Sequence, residues 1–194
     1  MPSDAFYQTG GKDIVQGDIF DGVPHLFLRP PLHVLRRVTL AGGREAMGFY
    51  QYPPPTDESP GGREGKIPPG GPFHLGSGEQ ASSFCQVSRA IVLNHDCDIE
   101  NEPEHRLVAL VRPLAPVRDA AHQEVIRLNQ NYSYFYLPAE GEMPDAYVDF
   151  RRITSLTPDF LSISDRLSSL SEESVKALQF HLFRFLTRRD IGGE

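Results

Sequence analysis

The chain has no tryptophan, only two cysteines, no long apolar run and no excess of positive charge. Without tryptophan, a core must rest on Leu, Ile, Val, Phe and Tyr, which 194 residues supply in sufficient number for one domain over residues 1–194. Two cysteines, Cys85 and Cys97, are too few for a disulfide framework. No apolar stretch approaches the roughly 20 residues that span a bilayer, so no membrane partner is expected. The opening Met1-Pro2-Ser3-Asp4 lacks a basic segment followed by an apolar one, and the expectation is a reduced, cytoplasmic protein. The net charge of −7 argues against holding nucleic acid by bulk charge, and leaves room for a local basic groove.

What is present is mostly strand signal. Ile14-Val15, Ile19-Phe20 and Leu26-Phe27-Leu28 come before Pro30-Pro31, and residues 33–51 read as a hairpin around Ala41-Gly42-Gly43. Residues 53–83 are rich in proline and glycine, which cannot form a ladder, and read as a long flexible loop. Beyond it, Arg89-Ala90-Ile91-Val92-Leu93 and Arg106 to Val111 are short continuous apolar runs of the kind a doubly buried strand carries. Tyr132 to Leu137 and Ala146 to Phe150 supply two more strands. Residues 171–189 read as a helix, with Ser171 as cap, Glu172 and Glu173 in its first turn, and Val175, Leu178, Leu182 and Phe185 on one stripe. Phe180 and Phe183 lie off that stripe, so either its apolar face is wide or a second face meets another chain, as in a homodimer. Strands, a loop, more strands and a terminal helix suit a mainly β fold, a small barrel or curled sheet with a helix packed on it.

Several pieces resemble, in order, the MazF/PemK toxin family. Gly17-Asp18-Ile19-Phe20 is similar to that family's opening strand, Gly76-Ser77-Gly78-Glu79-Gln80 to its loop signature, and Arg89-Ala90-Ile91-Val92 to its arginine-bearing strand. Val148 to Leu156, Leu161, Leu167 to Ser171 and the helix resemble its tail. The resemblance implies an SH3-like barrel with an insertion over 21–75. It also implies cleavage of single-stranded RNA without a cofactor, and an antitoxin-like protein partner. Arg89 would stabilise the charged phosphate and Glu79 would relay a proton. Ala90 stands where the family has proline. Val111 stands where active members carry Thr or Ser, and Thr154 where a later arginine is expected, unless Arg151 or Arg152 takes that place. These departures open the alternative of a non-catalytic module that binds a protein partner.

Asn94-His95-Asp96-Cys97-Asp98-Ile99-Glu100 is the densest chemistry in the chain. If the preceding strand continues, His95 and Cys97 share one face and Asp96 and Asp98 the other. Cys85, His95, Cys97 and His105 have the donor types of a zinc site without its spacing. Cys97 as a nucleophile would need a distant base such as His74 or His122, since i and i+2 on a strand are too far apart. The plain alternative makes Cys97 a small buried apolar residue with an aspartate capping a turn. Ligand or partner contacts through His95, Asp96, Cys97, Asp98, Arg151 and Arg152 are a further reading. The alternating Tyr132, Tyr134 and Tyr136 suit either base stacking or sheet packing.

Overall fold

The computed structural model describes residues 5–27, 32–52, 80–82, 84–101 and 104–188, and elements are counted among those. The strands are β1 (Tyr7–Gln8), β2 (Asp18–Phe27), β3 (Leu32–Thr39), β4 (Glu45–Tyr52), β5 (Gln80–Ser82), β6 (Phe84–Val92), β7 (Arg106–Pro113), β8 (Tyr134–Leu137), β9 (Ala146–Leu156) and β10 (Asp165–Leu170). The helices are α1 (Asp96–Asn101), α2 (Ala120–Arg127), α3 (Pro158–Ser162) and α4 (Glu172–Thr187). The chain forms two compact units, Met1–His25 with Val87–Glu194, and Leu26–Gln86.

In the smaller unit, β3 pairs antiparallel with β4 from Leu32↔Tyr52 to Thr39↔Glu45, the hairpin that the turn glycines announce. On its other side β3 takes β5, so residues 80–82 are a strand where a loop was expected. The rest of the Pro/Gly-rich stretch, 53–79 and 83, lies outside the described residues.

In the larger unit, the strands follow the order β1-β10-β2-β6-β7-β9-β8. The pairings β1–β10, β10–β2, β6–β7, β7–β9 and β8–β9 are antiparallel. Its middle is buried on both faces, which is why Ala90 to Leu93 and Val108 to Val111 read as unbroken apolar runs. Ile91, Ala109 and Val111 join Phe135, Val148, Phe150 and Leu178 of α4 on one face. Ala90, Val92 and Val108 join Phe20, Leu156 and Leu161 of α3 on the other. A third cluster of Leu114, Ile126, Tyr134 and Tyr147 lies under α2.

The fold is therefore mainly β with a C-terminal helix. A closed ladder is not formed among the described residues, because β1 and β8 end the sheet without pairing. Side chains bridge these two strands instead. Phe6 stacks on Phe135 with ring centroids 6.1 Å apart, and the Tyr7 hydroxyl donates to the Pro138 carbonyl at 2.9 Å.

Helix α4 begins as its sequence dictates. The Ser171 hydroxyl accepts from the Ser174 N–H, with Glu172 and Glu173 in the first turn. Val175, Leu182 and Phe185 pack on the core, while Phe180, Phe183 and Leu186 stay exposed. Gly17 is required where β2 starts under this helix. Its φ is +88°, and a Cβ there would lie 2.9 Å from Val175 Cγ2.

His181 of α4 is buried against Phe135 and Phe180, and its Nδ1 has no hydrogen-bond partner among the described residues. Burial holds its pKa below the ordinary value, and Arg184 acts in the same direction. Burial also lowers His25, opposed by a hydrogen bond with the Arg89 backbone. The unfolded chain therefore takes up more protons once pH falls beneath about 6.5, so this stability is complete above that pH and lost below it. The urea midpoint is expected to fall between pH 7 and pH 5, and to fall less in His181→Leu. An unchanged pH dependence in that variant would contradict a neutral buried imidazole.

Candidate functional site

A cleft of about 700 Å³ opens in the larger unit, lined by the chain following β1, by Arg89 of β6, by the Glu140–Met143 turn and by Arg166 to Ser168 of β10. Tyr7 and Met143 belong both to its lining and to the main core, so its base rests on packed side chains. The turn is closed by reciprocal hydrogen bonds between the backbones of Glu140 and Met143, 3.0 Å each, and brings Glu140 and Glu142 to the cleft. Burial pushes the Tyr7 phenol well up, with Glu140 next, so it remains a proton donor at neutral pH.

Two arginines line the cleft. Arg89 is about one-third exposed, with its Nε 3.5 Å from Asp21 Oδ2. Its cross-strand partner is Val111, whose apolar side chain is buried in the core. Arg166 is held more closely. It donates to the Gly11 carbonyl at 2.6 Å, lies 3.4 Å from Asp18 Oδ2 and covers the Phe20 ring at 5.3 Å. Gly10 lets the chain pass over it, since a Cβ there would lie 2.7 Å from Arg166 Cδ. Asp18 is fully buried and accepts from the Ser169 hydroxyl and from the Val15 N–H. Burial raises its pKa, while Ser169, Val15 and Arg166 pull it down. The Gly17-Asp18 pair thus anchors one of the cleft's two cations.

Of the residues singled out from sequence, the cleft takes Arg89. Glu79 lies outside the described residues. The segment after β6 does not continue as a strand. It bends at Asn94 and enters α1, with the His95 carbonyl accepting from the N–H groups of Asp98 and Ile99. His95 and Cys97 are therefore neighbours across a helix start, with Nδ1 and Sγ 3.0 Å apart, a contact that an extended chain would forbid. Cys97 is exposed rather than buried, and both cysteines are free. Asp96 accepts from the Gln16 N–H at 2.9 Å, and Gln16 in turn donates to the Leu93 carbonyl and accepts from Gln179. Asp96 thereby ties α1 to the chain before β2, while Asp98 is exposed. Among the described residues no three His, Cys, Asp or Glu side chains group as a metal site, so His95, Cys97 and His105 are not assembled into one.

Arg151 and Arg152 are exposed on β9, where the pairing with β7 shifts register. Arg151 is paired with Asp149 at 2.8 Å. Of the tyrosines, Tyr134 packs edge-on to Tyr147 at 5.1 Å and Tyr136 donates to Asp145 at 2.6 Å, so both serve the sheet. Sequence reasoning missed Arg166, Glu140 and Glu142, which reach the cleft through a strand and a turn remote in sequence from Arg89. No local signal marked them. No protein-family profile matches the chain, and no curated protein matches it.

Proposed function

We propose that the chain is a metal-independent endoribonuclease acting on single-stranded RNA, working in the cytoplasm in a toxin–antitoxin or defence setting on a barrel of the MazF/PemK kind. The observation that carries this reading is the cleft lined by both Arg89 and Arg166, with Glu140 and Glu142 also in its lining. The side-chain bridge between β1 and β8 supports the barrel. A guanidinium is the side chain best suited to a phosphate, offering a rigid fork of donors and a charge that persists at any physiological pH. In the reaction, a carboxylate takes the proton of the 2′-hydroxyl. The 2′-oxygen attacks phosphorus while the two arginines stabilise the added negative charge, and the P–O5′ bond breaks as the carboxyl group returns its proton to the leaving 5′-oxygen. The products are a 2′,3′-cyclic phosphate and a 5′-hydroxyl. The proton-transfer role that the resemblance gives to Glu79 is equally open to Glu140 and Glu142.

An RNA oligonucleotide should be cut, and the same oligonucleotide carrying 2′-deoxyribose throughout should remain intact, with cyclic phosphate detected by mass spectrometry on the RNA product. Equal cutting of both would exclude this chemistry. A second reading, a non-catalytic module holding an antitoxin-like or regulatory protein, is favoured by two observations. Arg89 and Arg166 already face Asp21 and Asp18, and Phe180, Phe183 and Leu186 leave part of α4 exposed for a partner or a second copy. The resemblance adds that Val111 stands where it would place a hydroxyl.

A further inference from the structure

Asp149 has a fully buried side chain in the middle of β9, and burying a carboxylate is costly unless it is paired. Its partners are two arginines that are themselves about half exposed. Arg151 grips it through a fork, Nε to Oδ1 at 2.8 Å and Nη2 to Oδ2 at 2.9 Å. Arg112 approaches Oδ2 through Nη1 at 3.8 Å, an ionic contact too long for a hydrogen bond. The ring of Tyr134, 4.8 Å beneath the Arg151 guanidinium, helps fix its plane, and Tyr134 is in turn packed on Tyr147. The carboxylate thus holds Arg151 in place by one edge and leaves its other N–H groups unused. The contact of the Arg112 side chain with Asp149 is ionic, and its guanidinium keeps its donors for another acceptor.

The strand register places a further donor on the same face of the sheet. Ala90 pairs with Leu110, and Leu110 with Asp149, so these three share a face. Two positions along the respective strands, Ser88 and Arg112 fall on that same face. The Ser88 hydroxyl is buried and has no hydrogen-bond partner among the described residues. By the same alternation this face is the reverse of the one that carries Arg89. Two cations against one anion leave a local positive charge in a chain whose net charge is −7.

We propose that Arg112 and Arg151, organised by Asp149, form a binding site for a phosphate group, separate from the cleft and standing whether or not the cleft cuts RNA. A tetrahedral oxyanion can take the free edge of Arg151 and the open fork of Arg112 at once. The phosphate can belong to a nucleotide or to an RNA strand.

Titrating inorganic phosphate into the wild-type protein tests the site directly through the arginine Nε–H resonances. Saturable shifts of Arg112 and Arg151 are expected, with Arg118 as an exposed control. Arg112→Ala, which removes no hydrogen bond from Asp149, should weaken phosphate binding about tenfold, and Arg118→Ala should leave it within about twofold. Repeating the titration with a nucleoside monophosphate and with a short single-stranded RNA separates the sources. The ligand whose affinity exceeds that of inorganic phosphate, and falls by the same factor in Arg112→Ala, is the one held. Unmoved Arg112 and Arg151 resonances, or equal phosphate binding by wild type and Arg112→Ala, would overturn the proposal.

Discussion

Replacing Arg89 with alanine should lower the RNA cleavage rate by about 10²–10³-fold, the usual consequence of removing one preorganised donor from a developing oxyanion. The loss should fall on kcat more than on KM, because the charge on phosphorus grows only in the transition state. The fold should be unaffected. Arg89 makes one partly exposed ion pair with Asp21, and such pairs contribute little to stability. The hydrogen bond that His25 makes here is with the Arg89 backbone, which the substitution keeps. A variant with the wild-type melting temperature and wild-type activity would remove Arg89 from the mechanism. A variant that loses both would show that the arginine is structural.

The largest effect on stability is expected at Phe135. Its side chain is fully buried, touches Phe6 of the chain entering β1 and His181 of α4, and sits in the main core cluster. Phe135→Ala should cost about 3–5 kcal/mol, by lost transfer energy and by the cavity left behind. It should also loosen Phe6 and Tyr7, and Tyr7 lines the cleft, so activity should fall even where the protein is still folded. Chemical denaturation at fixed pH measures the first effect, and cleavage well below the transition the second. A cost under about 1 kcal/mol would mean that the bridge between β1 and β8 is not seated in the core as described.

The sequence made the strands legible wherever burial was two-sided, because Ala90 to Leu93 and Val108 to Val111 need apolar residues at consecutive positions. It made the terminal helix legible through its cap and its stripe. It left His95 to Asp98 open, because polar residues after an apolar run gave no sign of whether the chain would continue extended or turn. The hydrogen bond from Gln16 to Asp96, between residues far apart in sequence, supports the turn, and no local pattern encodes it. The same limit hid the cleft. Arg89 was visible as the start of an apolar run, but Arg166 depends on Asp18, Gly10 and Gly11 for its position, and those contacts exist only once β10 lies beside β2. Asp149 looked like one polar position in an alternating strand. That it is fully buried, with arginines on two strands around it, follows from the pairing of β7 with β9.

The most direct measurement is to incubate mixed single-stranded RNA with the purified wild-type protein and with Arg89→Ala, both in EDTA. Cleavage by the wild type, reduced at least about a hundredfold by the substitution, is the expected result. Intact RNA with both proteins at high concentration would contradict the ribonuclease reading and leave the protein-binding module as the function to pursue.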